Sequence, residues 1–456
     1  MKQDFLDYIK NTFDFNETEF KNFKEHLEKP LKKSFRINTN KISIDNFKKL
    51  VKRNDWELTE SNFGKNMFYI DRTTDLKIPL GSTFEHIMGL IYIQEVAASS
   101  SPFFMSGDII DNDQYLILDM SSSPGGKTTQ LSEYYPNSLI VANEFDKPRI
   151  KQLFTNIERM GCDNIGVTNY DGRFFKSLPE LFDKVLLDAP CSGEGTCYKG
   201  TDAIKFWNAK NIKSIAKLQF GLLESALITC KVGGEIVFST CTLNKIENEG
   251  VLKKFYKKYG NIIETIKIDN EETKRLWPHT DKTGGFFITK IRKIASVDKA
   301  SKQMPEPKNT IEKLSSRETK TVLRFLEENF DLDIKNYFFY KHNSEIYISK
   351  HNFGEYFNKL FFFKVGVKIG ELTDIFTPCF NLGVIFDLQK NVYNIDETSE
   401  KINSEIDRYL KAYDLENKTA LKKGYIAIKY KNTPAGLAEI QGENIKNLLP
   451  TKYARK

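Results

Sequence analysis

What this chain lacks narrows the field first. Its six cysteines, at positions 162, 191, 197, 230, 241 and 379, form no Cys-x-x-Cys pair, and histidine occurs only five times in 456 residues. Neither a disulfide framework nor a zinc site fits that spacing, so no metal is expected. No apolar run approaches the ~18 residues that a membrane-spanning helix needs. The amino terminus, MKQDFLDYIK, carries charges where a secretory signal would be apolar, so a cytoplasmic protein without a membrane partner is expected. There is no internal repeat and no low-complexity tract. The chain as a whole also lacks a strong excess of one charge. Its 68 basic and 61 acidic residues leave +7, which permits a nucleic-acid partner without requiring one.

What is present is enough apolar sequence, 40%, to bury several cores, and a length that suggests about three folded units. Near the amino terminus, Phe20, Phe23 and Leu27 recur at helical spacing over 16–28, Ser34 to Ser43 alternates like a strand, and Phe47 to Val51 suggests a second helix. Lys32, Lys33 and Arg36 give this small α/β unit, residues 1–78, a basic face. That face is either an RNA contact or ordinary solvated surface. Residues 79–101 read as a proline-started turn and a helix apolar around most of its surface, hence buried. His86 on it reads as a packing residue, whereas Gln94 and Glu95 need partners.

From 116 onward strand and helix signals alternate. Strands are expected at 116–119, 139–142, 165–168, 184–187 and 235–239. Helices are expected from Lys127, over 147–160 closed by Gly161, and over about 208–230. Repeated βα units with near-continuous apolar strands predict a Rossmann-like α/β fold with a parallel sheet, whose ligands bind beyond the carboxyl ends of the strands. Residues 79–293 form this expected catalytic domain. The polar, proline-bearing stretch 294–310 is a linker, 311–376 a small α+β unit, and 377–456 a basic terminal domain. In the last of these, GYIAIKYKNTPAGLAEI predicts two strands about a proline-containing turn. From Leu421 to Lys456 eight Lys or Arg face two Glu, a charge suited to phosphate or to a solvated surface.

The stretch YLILDMSSSPGGK, Tyr115 to Lys127, turns a buried strand tightly into a helix, which suits a nucleotide-like ligand. Gly126-Lys127-Thr128 ends like a phosphate-binding loop, but that pattern needs glycine where Ser121 stands. A turn for S-adenosylmethionine (SAM) fits better. Glu144, nineteen residues after Gly125, closes the next strand and suits ribose hydroxyls, and Asp171 after the third suits the adenine amino group. Two cysteines then follow neighbouring strands, in Asp188-Ala189-Pro190-Cys191 and in Ser239-Thr240-Cys241, so both thiols should share one pocket. A thiolate adding to carbon 6 of a pyrimidine makes carbon 5 nucleophilic enough to accept a methyl group, and a second thiol suits release of the adduct. Asp188 could hold the N3/N4 edge of the ring, and Lys127 would favour the thiolate. From spacing alone the two thiols are equivalent. The ordinary alternative, small buried cysteines, is taken for Cys162, Cys230 and Cys379 and preferred for Cys197.

SSSPGGKT, NYDGRFF, LLDAPCSGEGT, STCTLNKIENE and GGFFITKIRK resemble the motifs of RNA 5-methylcytosine methyltransferases of the Nop/Sun superfamily. SFRINTNKIS, PLGSTFEHIMGLIYIQE and the terminal GYIAIKYKNTPAGLAEIQGENIKNLLP resemble, within it, the RsmF (YebU) type of ribosomal RNA methyltransferase. The resemblance implies that Ser121, Ser122, Ser123, Pro124, Gly125, Gly126 and Lys127, with Glu144, Asp171 and Asp188, bind SAM. It makes Cys241 the nucleophile and Cys191 the releasing thiol. It also implies 16S rRNA of the small subunit's decoding region as substrate and a PUA-like carboxyl-terminal domain for RNA; the amino-terminal unit is read as RNA-binding and the enzyme as a monomer, with a transfer-RNA cytosine-5 methyltransferase as the rival reading. Lys199, Asp202, Lys205 and Trp207 would line the RNA channel. The family's turn usually carries alanine or cysteine where this chain has three serines, which are small enough to keep it.

Overall fold

Fully buried strands set the architecture. In the computed structural model, which describes residues 3–52, 56–72, 78–200, 204–205, 207–297, 307–395, 404–418, 421 and 423–455, Leu116–Asp119, Leu139–Asn143 and Ile165–Thr168 are buried along their whole length. They stand in a nine-stranded sheet whose order is Ile263–Ile266, Phe286–Lys293, Cys230–Thr240, Phe182–Asp188, Leu116–Asp119, Leu139–Asn143, Ile165–Thr168 and Lys364–Val365, with Thr273–Leu276 paired to Phe286–Lys293. The strands from Cys230–Thr240 across to Ile165–Thr168 are mutually parallel, and those outside them antiparallel. From Leu116–Asp119 the chain runs outward through two strands and then returns to Phe182–Asp188 on the other side. That reversal opens a crevice at the carboxyl ends, between Asp119 and Asp188. Helices Gly126–Tyr134, Lys147–Met160 and Ala209–Thr229 follow the expected spans, and Gly161 closes the second with φ +73°.

Four local expectations change. The first strand stops at Ile37 rather than Ser43. There the side chain of Asn38 turns inward, donating to the carbonyls of Gly89 and Met160. Residues 79–101 are not one helix. A single turn, Phe84–Ile87, ends at Gly89, then strand Ile91–Ile93 pairs with Phe35–Ile37, and the helix proper is Val96–Ser106. Gly89 has φ +66°, and a Cβ there would lie 1.9 Å from the carbonyl oxygen of Arg159, so the chain must turn. The strand expected at 235–239 spans Cys230–Thr240 and contains the Gly233-Gly234 pair. Finally, the carboxyl-terminal hairpin reverses at Lys431 and Asn432, both at positive φ, while Pro434 lies within its second strand.

The peripheral units interlock. Helices Gln3–Thr12 and Glu17–Glu28 pack Phe5, Ile9, Phe23 and Leu27 against Trp207, Ile212 and Leu243. The four-stranded sheet of Trp56–Glu60, Met67–Arg72, Ser34–Ile37 and Ile91–Ile93 takes its last strand from beyond the expected boundary at 78. It shares one core with the carboxyl-terminal sheet, in which Phe35, Phe68 and Ile91 join Tyr409, Ile428 and Tyr430. The 311–376 stretch folds around helix Ser316–Phe330, started by a Ser315/Glu318 capping box. Of the linker, residues 298–306 lie outside the described ones. The terminal basic charge is partly spent inside the molecule: Arg455 pairs with Asp407 at 2.8 Å, Lys452 with Glu158 at 2.7 Å and Lys429 with Asp387 at 2.6 Å.

Candidate active site

The crevice at the strand ends is a cavity of about 630 Å³. Ser121 to Pro124, Gly126, Lys127, Asp188 and Cys241 stand on its wall, while Gly125, Glu144 and Asp171 do not. Gly125 caps the helix at φ +104°, a conformation suited to glycine, with Leu153 already 3.1 Å from where a Cβ would lie. Glu144 is buried at the end of its strand, accepting from the backbone N–H groups of Ser123 and Asp146. Asp171 is turned to Arg173, whose hydrogen bonds hold its carboxyl below the usual range. Phe145 is an exposed ring beside Glu144.

The thiols converge. Phe182–Asp188 and Cys230–Thr240 pair in parallel with Asp188 opposite Ser239, so the residues just beyond them meet. Cys191 Sγ and Cys241 Sγ are 3.2 Å apart, hydrogen-bonding distance for unoxidised thiols. The Cys191 thiol, taken as donor, lowers the pKa of Cys241 against burial and Asp188, and Lys127 and Lys199 act in the same direction as Cys191. Cys191 moves the opposite way, raised by Cys241, by burial and by Glu247 and Asp188. Lys127 donates to Asp188 Oδ2 at 2.7 Å, and Ser239 donates to Asp188 Oδ1 at 2.9 Å. Burial disfavours the Lys127 charge, but Asp188 outweighs it and the pKa rises. Below them Asp119, wholly buried with Thr128 donating to it, is pushed up to about 6 by desolvation.

Two acids that spacing did not single out hold the thiol loops. Glu194 is fully buried and accepts five hydrogen bonds, from Thr242 Oγ1, the N–H groups of Leu243 and Asn244, Asn244 Nδ2 and Trp207 Nε1. It therefore ties the loop after Cys191 to the loop after Cys241. Glu247 accepts from Ser192 N, Gln219 Nε2 and Asn244 Nδ2, and burial raises its pKa. Both acids stand in the motifs CSGEGT and TLNKIENE. Acids inside short polar loops normally read as solvated, and only the fold buries them.

Other expectations sort themselves by burial. Arg36, expected on a basic outer face, is wholly buried and paired with Glu133; Lys32 pairs with Asp71 at 2.6 Å. Gln94 finds its partners in Gln130 and Arg36. Glu95 caps helix Val96–Ser106 through Ala98 N and accepts from Gly284 N at 3.0 Å. His86 reaches the cavity wall, and burial depresses its pKa to about 3, so it stays neutral. Lys199 and Tyr198 also line the cavity, but Trp207 is buried on Glu194 instead of facing a channel; Asp202 lies outside the described residues. Cys162, Cys230 and Cys379 have thiol pKa values raised by burial, as inert packing cysteines do. Among the described residues no cluster of His, Cys, Asp or Glu could hold a metal ion, and no helix is long and apolar enough to cross a membrane.

Known structures give the class. A methyltransferase homologue from Pyrococcus horikoshii superposes with a TM-score of 0.54 at 28% identity, covering 64% of this chain and all of that one. NSun6 from the same organism, solved with SFG, shares the fold at a TM-score of 0.56 and 22% identity, over 65% of this chain and 99% of its own. This is a methyltransferase fold, with the site at the expected strand ends. The particular family follows from sequence. Residues 109–292 match the 16S rRNA methyltransferase RsmB/F family, 1–96 the amino-terminal domain of 16S rRNA methyltransferase RsmF, and 400–455 the RsmF PUA domain. A ribosomal RNA small subunit methyltransferase F from Shewanella sp. (strain W3-18-1) is 32% identical over 93% of this chain and 90% of its own length. The chain belongs to the RsmF family of methyltransferases.

Proposed function

We propose that this enzyme methylates carbon 5 of a cytosine in 16S rRNA, in the decoding region of the small subunit, using SAM and acting in the cytoplasm as a monomer. The observation that carries the reading is the pair of thiols 3.2 Å apart beside Lys127 and Asp188. The residues present fit SAM. Helix Gly126–Tyr134 begins on Gly125 without a side-chain cap, which leaves its first N–H groups for an anion such as the cofactor's carboxylate. In this reading Ser121 to Lys127 would cradle the cofactor with Asp188 beside them, and Glu144 and Asp171, here bonded to Ser123, Asp146 and Arg173, would turn to the ribose hydroxyls and the adenine amino group. Phe145 offers a ring face for stacking. When bound, SAM supplies an electrophilic methyl group.

The chain's own part is nucleophilic catalysis. The Cys241 thiolate bonds to cytosine carbon 6, and the electron pair of the 5,6 double bond moves onto the ring, making carbon 5 nucleophilic. Asp188 holds the N3/N4 edge during this addition. Once carbon 5 carries the methyl group, water takes its proton, the C–H electron pair restores the 5,6 double bond, and the Cys241 sulfur leaves carbon 6 as thiolate. Cys191, a protonated thiol within hydrogen-bond reach, assists that release. Residues 1–78 and the PUA domain within 377–456 bind the RNA on which the catalytic domain, 79–293, acts. Support for the 16S target comes from the relatives' own substrate. The test is tritiated-methyl transfer to small subunits, naked 16S rRNA and transfer RNA, followed by mapping of the modified base. Label in 5-methylcytosine of 16S rRNA is expected; label confined to transfer RNA would overturn the target.

A further inference from the structure

Arg36 lies on strand Ser34–Ile37 of the amino-terminal sheet, yet its guanidinium reaches Gln94 and the helix Gly126–Tyr134 that follows the Ser121–Lys127 turn. Its guanidinium pairs with Glu133, donates to Thr129 Oγ1 at 2.7 Å and to the carbonyl of Gly126 at 3.3 Å, and reaches Gln94 Oε1 at 3.4 Å. Glu133 also accepts from Asn66 Nδ2 at 2.8 Å and from Thr39 Oγ1 at 3.4 Å, both from the amino-terminal unit. Burial lowers the Arg36 pKa to about 10, which leaves it charged at neutral pH. A wholly buried ion pair of this kind contributes little net stability over an apolar packing, so what it positions matters more than what it stabilises.

The bonds converge on the backbone of one turn. Gly126 O accepts from Arg36 and takes the longer, 3.2 Å branch of the Thr129 hydroxyl's shared hydrogen bond. Gly125 O is held by Thr129 Oγ1 at 2.8 Å, and Pro124 O by Asn156 Nδ2 at 2.8 Å and Tyr92 OH at 3.4 Å. Tyr92 comes from strand Ile91–Ile93, next to Arg36, whose guanidinium lies 5.7 Å from the Tyr92 ring centroid. Three consecutive carbonyls of the Ser121–Lys127 turn are thus fixed, two of them by side chains of the amino-terminal sheet. A trans peptide unit points its N–H opposite its C=O, so anchoring Gly126 O orients the N–H of Lys127. Gly126 also packs against this sheet, since a Cβ there would lie 3.1 Å from the Tyr92 ring.

We infer that Arg36 is a positioning residue for the cofactor: the amino-terminal sheet, through Arg36 and Tyr92, sets the backbone of the SAM turn and not only the grip on RNA. The inference rests on the reading of Ser121–Lys127 as the cofactor turn. Arg36→Lys keeps a cation for Glu133 but lacks the planar fork that also reaches Gly126 O and Thr129. Thr129→Val leaves the ion pair whole and removes the hydroxyl from Gly125 O and Gly126 O. Calorimetric titration of SAM into each cofactor-free protein is the measurement, with RNA affinity read separately by filter binding and folding checked by thermal melting. In whichever variant folds, the SAM Kd is expected to rise about tenfold, the scale of one lost charge-assisted hydrogen bond, with RNA affinity unchanged. An unchanged SAM Kd in a folded variant would overturn the inference, as would a loss confined to RNA affinity. Failure of the unaltered protein to bind SAM would instead overturn the reading of the turn.

Discussion

A thiol becomes a nucleophile when its surroundings favour the charge, and here they differ between two sulfurs in contact. With Cys191 as donor, the Cys241 charge is favoured by that bond and by Lys127 and Lys199 and opposed by burial and Asp188, whereas burial, Glu247 and Asp188 all oppose a charge on Cys191. The spacing of the motifs left the two equivalent; the charges around them do not. Because the Cys241 pKa is lowered, its thiolate forms at lower pH than that of an ordinary thiol in the same protein. Alkylation of Cys241 by iodoacetamide, followed by peptide mass analysis, should therefore reach its plateau at lower pH than alkylation of a free cysteine. Lys127→Met should move that profile to higher pH; an unmoved profile would remove Lys127 from the account. At Glu194 the expectation is structural as well as kinetic. Glu194→Ala leaves five donors without their acceptor. The cost should be about 3 kcal/mol or more, read as a lowered denaturation midpoint.

At the scale of elements, the two thiol loops are kept in register by backbone contact. Gly195 N donates to Cys241 O and Gly285 N to Gly195 O, each at 3.0 Å, and a Cβ on Gly195 would sit 2.0 Å from Gly285 O. Gly195→Ala must part these strands' loops. Turnover should fall about a hundredfold, as small misplacements of reacting groups do, while SAM affinity holds. Single-turnover kinetics with calorimetry checks both halves. The parallel strands were legible in the sequence because burial on both faces leaves them apolar throughout, and their order predicted that Cys191 and Cys241 would meet. Strand Ile91–Ile93 was not, since a short apolar run has no period to separate strand from helix, and Gly89 breaks it only because Arg159 is packed against that position. Arg36 was illegible for a related reason. Its partner Glu133 is 97 residues away, and nothing local distinguishes a buried arginine from a solvated one.

For the whole molecule, the shared core of Phe35, Phe68 and Ile91 with Tyr409, Ile428 and Tyr430 makes the PUA-bearing terminus part of the structure that supports the site. Ending the chain at residue 399 should expose that apolar face, giving a protein that aggregates in light scattering rather than a soluble catalytic domain with weakened RNA binding. A soluble, monomeric, SAM-binding truncation would contradict this. The central claim, that Cys241 attacks the base and Cys191 frees it, has a direct measurement. Cys241→Ala and Cys191→Ala are each incubated with SAM and labelled 16S rRNA, then run on a denaturing gel. Cys241→Ala should yield neither methylation nor a protein–RNA band, and Cys191→Ala should accumulate a band that survives denaturation. A stable adduct in the Cys241 variant would reverse the two roles and contradict the account.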